Sequence, residues 1–472
     1  MVQEVPLSPR SLDGLDGLAR AEDLARFTAT EAALRPLLEG RTMWHVNSTA
    51  SGGGVAELLH QLLGYLIEGP IDCRWAVIEG DPPFFEVTKR IHNRLHGSTG
   101  DGGDLGDDER QAYRRIVDRE AAALLEVATA GDVAVLHDPQ TAGMVTPLRD
   151  AGLRIVWVCH VGIDEPNDVV RSAWDFLRPE VEPADAFVFS REAFVWTGLD
   201  PGKVHVIPPC IDPTSPKNAE LGANAIGEVL AAVGVLGGID GPSEARIEDA
   251  PFGSVRVTRR AEIFEEAPTP MGAPIVTEIS RWDRLKDHRG VLEAFAAHVD
   301  PRSDAHLLLV GPLPVTVPDD PEGAEVFAEV HEAWKALPLE RRSTIHLVNL
   351  PVVDRIENAV VVNALQRRAD VVVQKSLAEG FGLTVAEAMW KARPVVGSSV
   401  GGIQDQIVDG VSGLLVPPTD PEALGAAITS LIGDVGYGHA IGHAARDRVR
   451  ERFLPPHFLG GHLEVVRRIL DG

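Results

Sequence analysis

The sequence predicts an α/β protein made of two Rossmann-like lobes. Short β-branched runs recur along the chain, each bounded by Gly, Pro or Asp and followed by a longer segment of helical period, which is typical of βα units and parallel sheets. The runs form two groups, separated by a stretch rich in Gly, Pro and acidic residues. A chain of 472 residues also exceeds what one hydrophobic core usually serves. Each half is therefore expected to have its own open sheet.

The pattern predicts the same number of strands in each half of the chain. Those of the first half are expected at 42–46, 74–78, 133–136, 154–158, 186–189 and 204–207. Those of the second half are expected at 274–279, 306–310, 344–348, 370–374, 394–396 and 413–416, with helices at 421–432 and 458–470 after them. The predicted organisation is an amino-terminal lobe at 1–212, a linker with an insertion at 213–273, a carboxyl-terminal lobe at 274–454, and a final helix at 455–472 that packs back on the first lobe.

Composition excludes several classes of protein. The 70 acidic and 44 basic residues give a formal net charge of -26, which repels nucleic acid and anionic membranes. The cysteines, Cys73, Cys159 and Cys210, are odd in number and widely spaced, so neither a disulfide framework nor a zinc knuckle is indicated. Residues 1–18 lack the apolar core of a signal peptide, and no later run reaches the length of a membrane span. We expect a cytoplasmic protein.

The first chemical motif is a glycine-rich turn at residues 47–57, between a predicted strand and a predicted helix. Gly52, Gly53 and Gly54 let backbone N–H groups approach an anion, and a helix amino terminus adds about half a positive charge. A diphosphate fits such a turn, and so does a simple flexible connection. Glu57 stands where a dinucleotide fingerprint has its third glycine, and no Gly-Lys-Ser/Thr follows, which argues against NAD and P-loop nucleotides.

The second motif follows the predicted strand 274–279, at the end where open α/β sheets bind ligands. Arg281 and Lys286 are close enough in sequence to converge on one diphosphate there. Arginine offers a planar fork and lysine a point charge, and together they neutralise a departing phosphate. Two cations in a loop are also found on ordinary solvated surfaces.

The third motif, residues 375–388, again has the order strand, glycine loop and helix. Glu379 lies in the loop, where a carboxylate accepts hydrogen bonds from sugar hydroxyls, and Glu387 is placed to reach a ribose diol from the first helical turn. The structural alternative for Glu387 is a capping box with Thr384, which needs no ligand. Glu379, between apolar residues and glycines, has no comparable structural task.

The third motif resembles the Glu-x7-Glu motif of the retaining GT-B glycosyltransferases of family GT4. Glu379 and Glu387 supply the two glutamates, with Gly380, Phe381, Gly382 and Leu383 within the interval. Arg281 and Lys286 resemble that family's donor-diphosphate ligands, and Gly53 with Gly54 resembles its phosphate loop. The resemblance implies a GT-B fold with a central cleft, a nucleotide-diphosphate sugar as donor, and no metal or other cofactor. It also implies front-face displacement, in which a donor phosphate oxygen takes the acceptor proton.

A closer resemblance covers most of the chain and is to the trehalose glycosyltransferring synthases. It is carried by residues 45–49, 52–57, 137–140, 157–164, 190–192 and 207–213. It implies transfer of glucose from ADP- or UDP-glucose to glucose, forming α,α-trehalose. His160 then contacts the transferred sugar, and Asn47, Asp138 and Asp164 contact the acceptor. The sequence departs from the family at Val158, where Arg is expected, and by one added residue before Asp164.

Three other functions stay open at this point. A trehalose phosphorylase would use the same anion ligands, and a transferase acting on a specialised metabolite would use the same donor. A non-catalytic nucleotide-sugar sensor would keep the donor ligands and lose turnover. The expected ligands are a nucleotide sugar and a small sugar acceptor, and formation of a homodimer is left open.

Overall fold

The chain folds into two compact units. The structure, a computed structural model, describes residues 2–50, 54–69, 71–236, 243–248, 250–314 and 321–471. Unit 1 comprises Met1–Cys210 and Phe453–Gly472, and unit 2 comprises Ile211–Arg452. The chain thus leaves unit 1 after residue 210 and returns to it at residue 453.

Unit 1 alternates strands and helices. Its strands are β1 (Gln3–Glu4), β2 (Met43–Asn47), β3 (Cys73–Val77), β4 (Val133–His137), β5 (Arg154–Cys159), β6 (Ala186–Phe189) and β7 (Val204–Val206). Its helices are α1 (Ala21–Leu34), α2 (Gly54–Glu68), α3 (Pro82–Leu95), α4 (Asp107–Leu125), α5 (Asp138–Thr141), α6 (Val145–Asp150), α7 (Asp168–Val181) and, from the end of the chain, α17 (Pro455–Asp471).

The sheet of unit 1 has the order β1-β3-β2-β4-β5-β6-β7, and all its pairs are parallel except β1 with β3. Its strands β2, β4 and β6 are buried along their whole length, as is typical of a parallel sheet whose two faces are covered by helices. Trp44 and Trp157 are completely buried on one face, in a core shared with α3, α4 and α7. Burial of side chains of this size stabilises the unit by about 1.5–3 kcal/mol each.

Unit 2 repeats this design. Its strands are β8 (Ala245–Ile247), β9 (Val255–Val257), β10 (Glu262–Phe264), β11 (Ile275–Ile279), β12 (His306–Pro312), β13 (Ile345–Leu350), β14 (Val371–Gln374), β15 (Val395–Ser398) and β16 (Leu414–Val416). Its helices are α8 (Ala223–Val233), α9 (His288–His298), α10 (Pro321–Lys335), α11 (Leu339–Arg342), α12 (Arg355–Arg368), α13 (Leu383–Trp390), α14 (Ile403–Gln406), α15 (Pro421–Gly433) and α16 (Val435–Arg452).

The main sheet of unit 2 has the order β10-β13-β12-β11-β14-β15-β16, with β10 antiparallel and the others parallel. In chain order its parallel strands run 3-2-1-4-5-6, which is the Rossmann arrangement. Strands β8 and β9 form a separate antiparallel pair. The prediction of two Rossmann-like α/β units is confirmed.

Segment 213–273, expected as a linker with an insertion, is part of unit 2. Helix α8 packs against α12, and the β8–β9 pair joins the same apolar cluster. Strand β10 extends the main sheet through its pairing with β13. The glycines, prolines and acidic residues of this stretch therefore lie in turns between short folded elements.

The described residues contain a strand at each of the predicted positions, with boundaries that differ by at most two residues. The short strands β1, β8, β9 and β10 were not predicted, because two or three residues are too few to show an alternating pattern. Among the described helices, none combines the length and the apolar character that crossing a bilayer requires.

Candidate active site

The switch point of the unit 2 sheet brings two predicted loops together. Strand β11 lies between β12 and β14, and the chain proceeds outward from it in both directions. Ligands of open α/β sheets bind at the carboxyl ends of strands at such a point. Loop 280–287 follows β11 and loop 375–382 follows β14, and the Leu377 N–H donates to the Leu285 carbonyl at 2.7 Å.

The two loops are joined by an ion pair between predicted site residues. The Lys286 ammonium Nζ donates to Glu379 Oε2 at 2.5 Å, and the Ser376 hydroxyl donates to the same oxygen at 3.1 Å. Both charged side chains keep partial exposure, 19% for Lys286 and 12% for Glu379. They are therefore accessible to a ligand while held in one geometry.

Behind this pair lies a buried group of charges that the sequence did not indicate. Lys375 is 4% exposed and pairs with Asp287, whose other carboxylate oxygen caps α9 through the Gly290 N–H at 3.1 Å. Glu278, on β11, is fully buried, and neither of its carboxylate oxygens has a hydrogen-bond partner among the described residues. Burial, with the nearby Asp287 charge, raises the pKa of Glu278 well above its usual value. Burial therefore favours the neutral form of this carboxyl more than in an exposed glutamate.

Arg281 extends from the same loop into solvent. Its side chain is 65% exposed, and Nη2 lies 3.3 Å from Asp283 Oδ2. The next residue, Trp282, anchors the loop, because its indole N–H donates to the Pro312 carbonyl and to Asn349 Oδ1, both at 3.0 Å. The backbone is thus fixed while the guanidinium stays accessible.

The capping box that was the structural alternative for Glu387 is not formed. Helix α13 begins at Leu383, its N-cap is Gly382 at φ 83°, and no side chain caps it. A left-handed glycine at this position replaces the cap that Thr384 was expected to provide. Glu387 consequently lies in the second turn of the helix, not the first.

Glu387 instead faces a lysine from the start of unit 2. Its carboxylate is buried and lies 3.4 Å from the Lys217 Nζ. The buried Lys391 donates to the Glu387 carbonyl at 3.1 Å and to Asn218 Oδ1 at 3.0 Å. Burial lowers the pKa of Lys391 well below its usual value. Lys217 and Asn218 were missed because they lie about 170 residues before their partners.

Two variants separate a cap from a charge pair at this helix. We expect Thr384→Ala to leave the melting temperature of the protein unchanged, whereas loss of a real capping residue costs about 1 kcal/mol. Glu387→Gln should destabilise the protein, since it removes the buried negative charge that pairs with Lys217, and should weaken nucleotide binding. Melting of both variants with and without nucleoside diphosphate measures this. A destabilised Thr384→Ala, or an unaltered nucleotide affinity in Glu387→Gln, would contradict the assignment.

Two consecutive glycines, Gly401 and Gly402, hold the loop that carries Glu379. A Cβ at Gly401, which has φ 48°, would lie 1.6 Å from the Glu379 carbonyl oxygen, so no side chain fits there. The Gly402 N–H donates to the Gly380 carbonyl at 3.0 Å, and the Gln406 amide donates to the Phe381 and Gly382 carbonyls, at 3.2 Å for the latter. Two consecutive glycines three residues after the end of strand β15 were the sequence signal for this support, and it was not recognised.

In unit 1, the glycine-rich turn is only partly within the described residues. Gly53 lies outside them, as does Gly52. Gly54 is the exposed first residue of α2, which begins after β2 at the carboxyl edge of the sheet. The amino end of α2 therefore lies at this edge, and the partial positive charge of a helix amino end attracts anions.

His160 and Asp138 meet at the same edge of unit 1. The backbone N–H of His160 donates to Asp138 Oδ1 at 2.9 Å. Asp138 adopts φ 64°, which is uncommon for a residue with a side chain, and its carbonyl accepts from the Trp157 indole at 3.2 Å. Burial raises the pKa of the Asp138 carboxyl. Asp138 thus fixes the backbone of His160, a task the sequence did not reveal.

The other two predicted acceptor ligands have partners within unit 1. The Asn47 amide oxygen accepts from the Trp75 indole at 2.8 Å, and its amide nitrogen donates to the Thr49 carbonyl at 2.8 Å. Asp164 forms an ion pair with Arg191. These contacts give Asn47 a structural role at the end of β2, while Asp164 keeps about a third of its side chain exposed.

Comparison with known proteins identifies the family. Residues 45–196 match the family described as "Trehalose synthase, N-terminal domain", and residues 259–448 match "Glycosyl transferases group 1". A trehalose synthase of Rubrobacter xylanophilus is 34% identical over 100% of both chains, and one of Pyrococcus horikoshii is 32% identical over 99% of both. The chain belongs to the trehalose synthase family. The expectation of a GT-B glycosyltransferase of family GT4 is thereby confirmed.

A solved structure shares the fold of this trehalose synthase homologue. The α,α-trehalose-phosphate synthase of Burkholderia xenovorans, in complex with glucose 6-phosphate, has a TM-score of 0.63 at 17% identity, over 92% of this chain and 100% of that one. At this identity the similarity concerns the fold.

Proposed function

We propose that the protein transfers glucose from a nucleotide diphosphoglucose, ADP- or UDP-glucose, to free glucose and forms α,α-trehalose with retention of configuration. The observation that carries the proposal is the Lys286–Glu379 ion pair at the switch point of unit 2, in a chain similar over its full length to trehalose synthases. We place the donor on unit 2 and the acceptor on unit 1. A cytoplasmic location agrees with three buried, unpaired cysteines.

The ion pair suggests how the donor is engaged. Lys286 is neutralised by Glu379 before the donor binds, and a diphosphate competes with that carboxylate for the ammonium group. Glu379 is then released to accept hydrogen bonds from sugar hydroxyls. Donor binding therefore couples charge neutralisation of the diphosphate to recognition of the sugar.

The chemical step needs charge stabilisation more than a protein base. As the bond from the anomeric carbon to the diphosphate breaks, negative charge grows on the leaving phosphate, where Lys286 and Arg281 stabilise it. The acceptor hydroxyl attacks from the same face, and its proton passes to a phosphate oxygen of the donor. His160 contacts the transferred sugar from unit 1. This assignment makes transition-state binding the main contribution of the protein.

A screen of nucleotide sugars against acceptors tests the proposal. We expect nucleoside diphosphate release only with a glucose donor plus glucose, and NMR of the product should give an α,α-1,1 linkage. Trehalose consumption with inorganic phosphate, without synthesis from a nucleotide sugar, would show a phosphorylase. Donor binding with no nucleotide release for any acceptor would show a sensor. Light scattering of the same preparation decides between a monomer and a homodimer.

His160→Ala tests the assignment of the sugar contact. We expect transfer to fall about tenfold, the cost of one hydrogen bond of about 1.4 kcal/mol, because the substitution removes a contact to the glucosyl group. The affinity for the nucleoside diphosphate alone should not change. The matched control is His205→Ala, a partly exposed histidine on β7, which should leave both quantities unchanged. Unchanged transfer in His160→Ala would remove this residue from the site.

A further inference from the structure

Three histidines form a hydrogen-bonded row that ends at His160. His45 Nδ1 lies 3.1 Å from His137 Nε2, and His137 Nδ1 lies 3.2 Å from His160 Nε2. Neighbouring rings are stacked, with centroids 5.4 and 5.5 Å apart and planes inclined by 22° and 12°. We call these three residues the histidine row. His45 and His137 have no part in the mechanism above.

The row follows from the register of three adjacent strands. His45 on β2 is level with Val135 on β4, and His137 on β4 is level with Val158 on β5. Each step therefore crosses to the next strand and moves two residues toward the carboxyl edge. Because side chains two residues apart share a face, all three rings project from the same side of the sheet.

The surroundings keep the two inner rings uncharged. His45 and His137 are 6% and 1% exposed, and the apolar wall beside His45 includes leucines of α2. Burial lowers the pKa of His45 to about 3 and that of His137 well below its usual value, where the neighbouring imidazoles lower it further. At physiological pH these rings are neutral imidazoles.

Neutral imidazoles in a row constrain one another. Each carries one N–H and one bare nitrogen, so every contact needs a donor on one side and an acceptor on the other. Only two patterns satisfy both contacts, with all donors directed toward His45 or all toward His160. In the first, His160 has its proton on Nε2 and a bare Nδ1, and in the second the reverse holds. His160 therefore exchanges tautomers only if His137 and His45 do so as well.

We propose that His137 and His45 are positioning residues that hold His160 in one ring orientation and one neutral tautomer. The inference rests on the proposed function, because it presumes that His160 contacts the transferred sugar. A fixed tautomer presents either a donor or an acceptor to a sugar hydroxyl, and presents it before the substrate arrives. Preorganisation of this kind strengthens a contact that a freely flipping ring makes only part of the time.

A second pair of histidines is arranged like two members of the histidine row but does not belong to a candidate site. His306 Nδ1 lies 2.9 Å from His346 Nε2, and the pair follows the same diagonal across β12 and β13. It lies at the amino end of those strands in unit 2, away from the switch point, and continues to Glu265 at 2.9 Å. The described part of the chain has no group of three or more His, Cys, Asp or Glu side chains placed to hold a metal ion. The pair at His346 is therefore a matched control.

NMR of the ¹⁵N-histidine-labelled protein tests the proposal without any substitution. We expect the two ring nitrogens of His160 to give the separate shifts of a single neutral tautomer at pH 7. In His137→Phe, which keeps a ring but removes both contacts, the His160 shifts should move toward the average of two tautomers. Averaged His160 shifts in the native protein would overturn the proposal. The NMR shifts do not depend on which sugar is transferred, so failure of this proposal is distinguishable from failure of the proposed function.

Kinetics of a double-mutant cycle test the functional consequence. We expect His137→Phe to lower kcat about tenfold, with unchanged affinity for nucleoside diphosphate, and to have no further effect when His160 is already alanine. His346→Phe should cost stability and leave kcat unchanged. Equal losses from His137→Phe with and without His160 would show a general structural role and overturn the proposal. If His137→Phe does not fold, His45→Phe and the spectrum of the native protein serve instead.

Discussion

Replacing Lys286 with alanine is expected to lower turnover by about 10²- to 10³-fold while the protein stays folded, which is the usual effect of removing one preorganised charge from a developing anion. The ammonium is held at 2.5 Å from Glu379, so it is positioned before the donor binds. Its effect grows as the diphosphate leaves, and kcat should therefore fall more than donor affinity. Arg281→Ala is expected to act in the same direction and to a similar extent.

Arg284 provides the matched control for Lys286. It lies two residues earlier in the same turn, is 51% exposed, and pairs with Glu329 on α10. Arg284→Ala removes the same charge from the same loop without touching Glu379, so turnover should be unchanged. Near-normal turnover in the Arg281→Ala/Lys286→Ala double variant would exclude both residues from the site.

Glu379→Gln separates the two roles assigned to that carboxylate. The amide cannot form the ion pair with Lys286, but its oxygen still accepts hydrogen bonds. We expect donor use to suffer more than binding of the nucleoside diphosphate alone, because the sugar and not the nucleotide contacts this side chain in the proposal.

The sequence was sufficient to predict the strands and loops whose formation depends on local pattern. Parallel strands such as β5 and β14 contain continuous apolar runs, and the loops after β11 and β14 follow from their position at strand ends. The edge strands β1 and β10 were missed because pairing with a distant strand, and not their own composition, makes them strands. The same reason explains segment 213–273, whose short elements are ordered by packing against α12.

The candidate site residues divide in the same way, into those that a local pattern predicts and those that depend on distant partners. Lys286 and Glu379 were found because each lies in the loop that follows a predicted strand. The Lys217 contact to Glu387 and the histidine row were not found, since the partners are 23 to 170 residues apart. Tertiary packing brings Lys217 to Glu387, and strand register aligns the histidines. The capping box of Thr384 was wrong for a related reason: the motif is local, but Gly382 in a left-handed conformation begins the helix without it.

Acidification from pH 7 to pH 5 is expected to destabilise the protein through its buried histidines. The pKa values of His45 and His462 are lowered to about 3 by burial, against 6.5 for an exposed histidine, and the pKa of His137 is also lowered well below its usual value. Below pH 6.5 the unfolded chain binds protons at these sites and the folded chain does not, so stability is complete above that pH and is lost as pH falls. Each histidine with a folded pKa near 3 costs about 2 kcal/mol over this interval.

Two substitutions with opposite signs test this account. His462→Phe removes one buried histidine from α17, so the loss of unfolding free energy between pH 7 and pH 5 should shrink by about 2 kcal/mol.

Glu278 has the opposite effect on the pH dependence of stability. Its pKa is raised in the folded state, so the folded chain binds a proton at this site at a higher pH than the unfolded chain does, and its contribution to stability improves as pH falls. Glu278→Gln removes that gain, and the loss on acidification should grow. Carboxylates with lowered pKa values, such as Glu464 at about 2, lose their contribution only nearer pH 4.5 and below, outside this interval. Urea unfolding at the two pH values measures each difference, and equal acid sensitivity of the native protein and both variants would show that buried histidines and Glu278 do not control it.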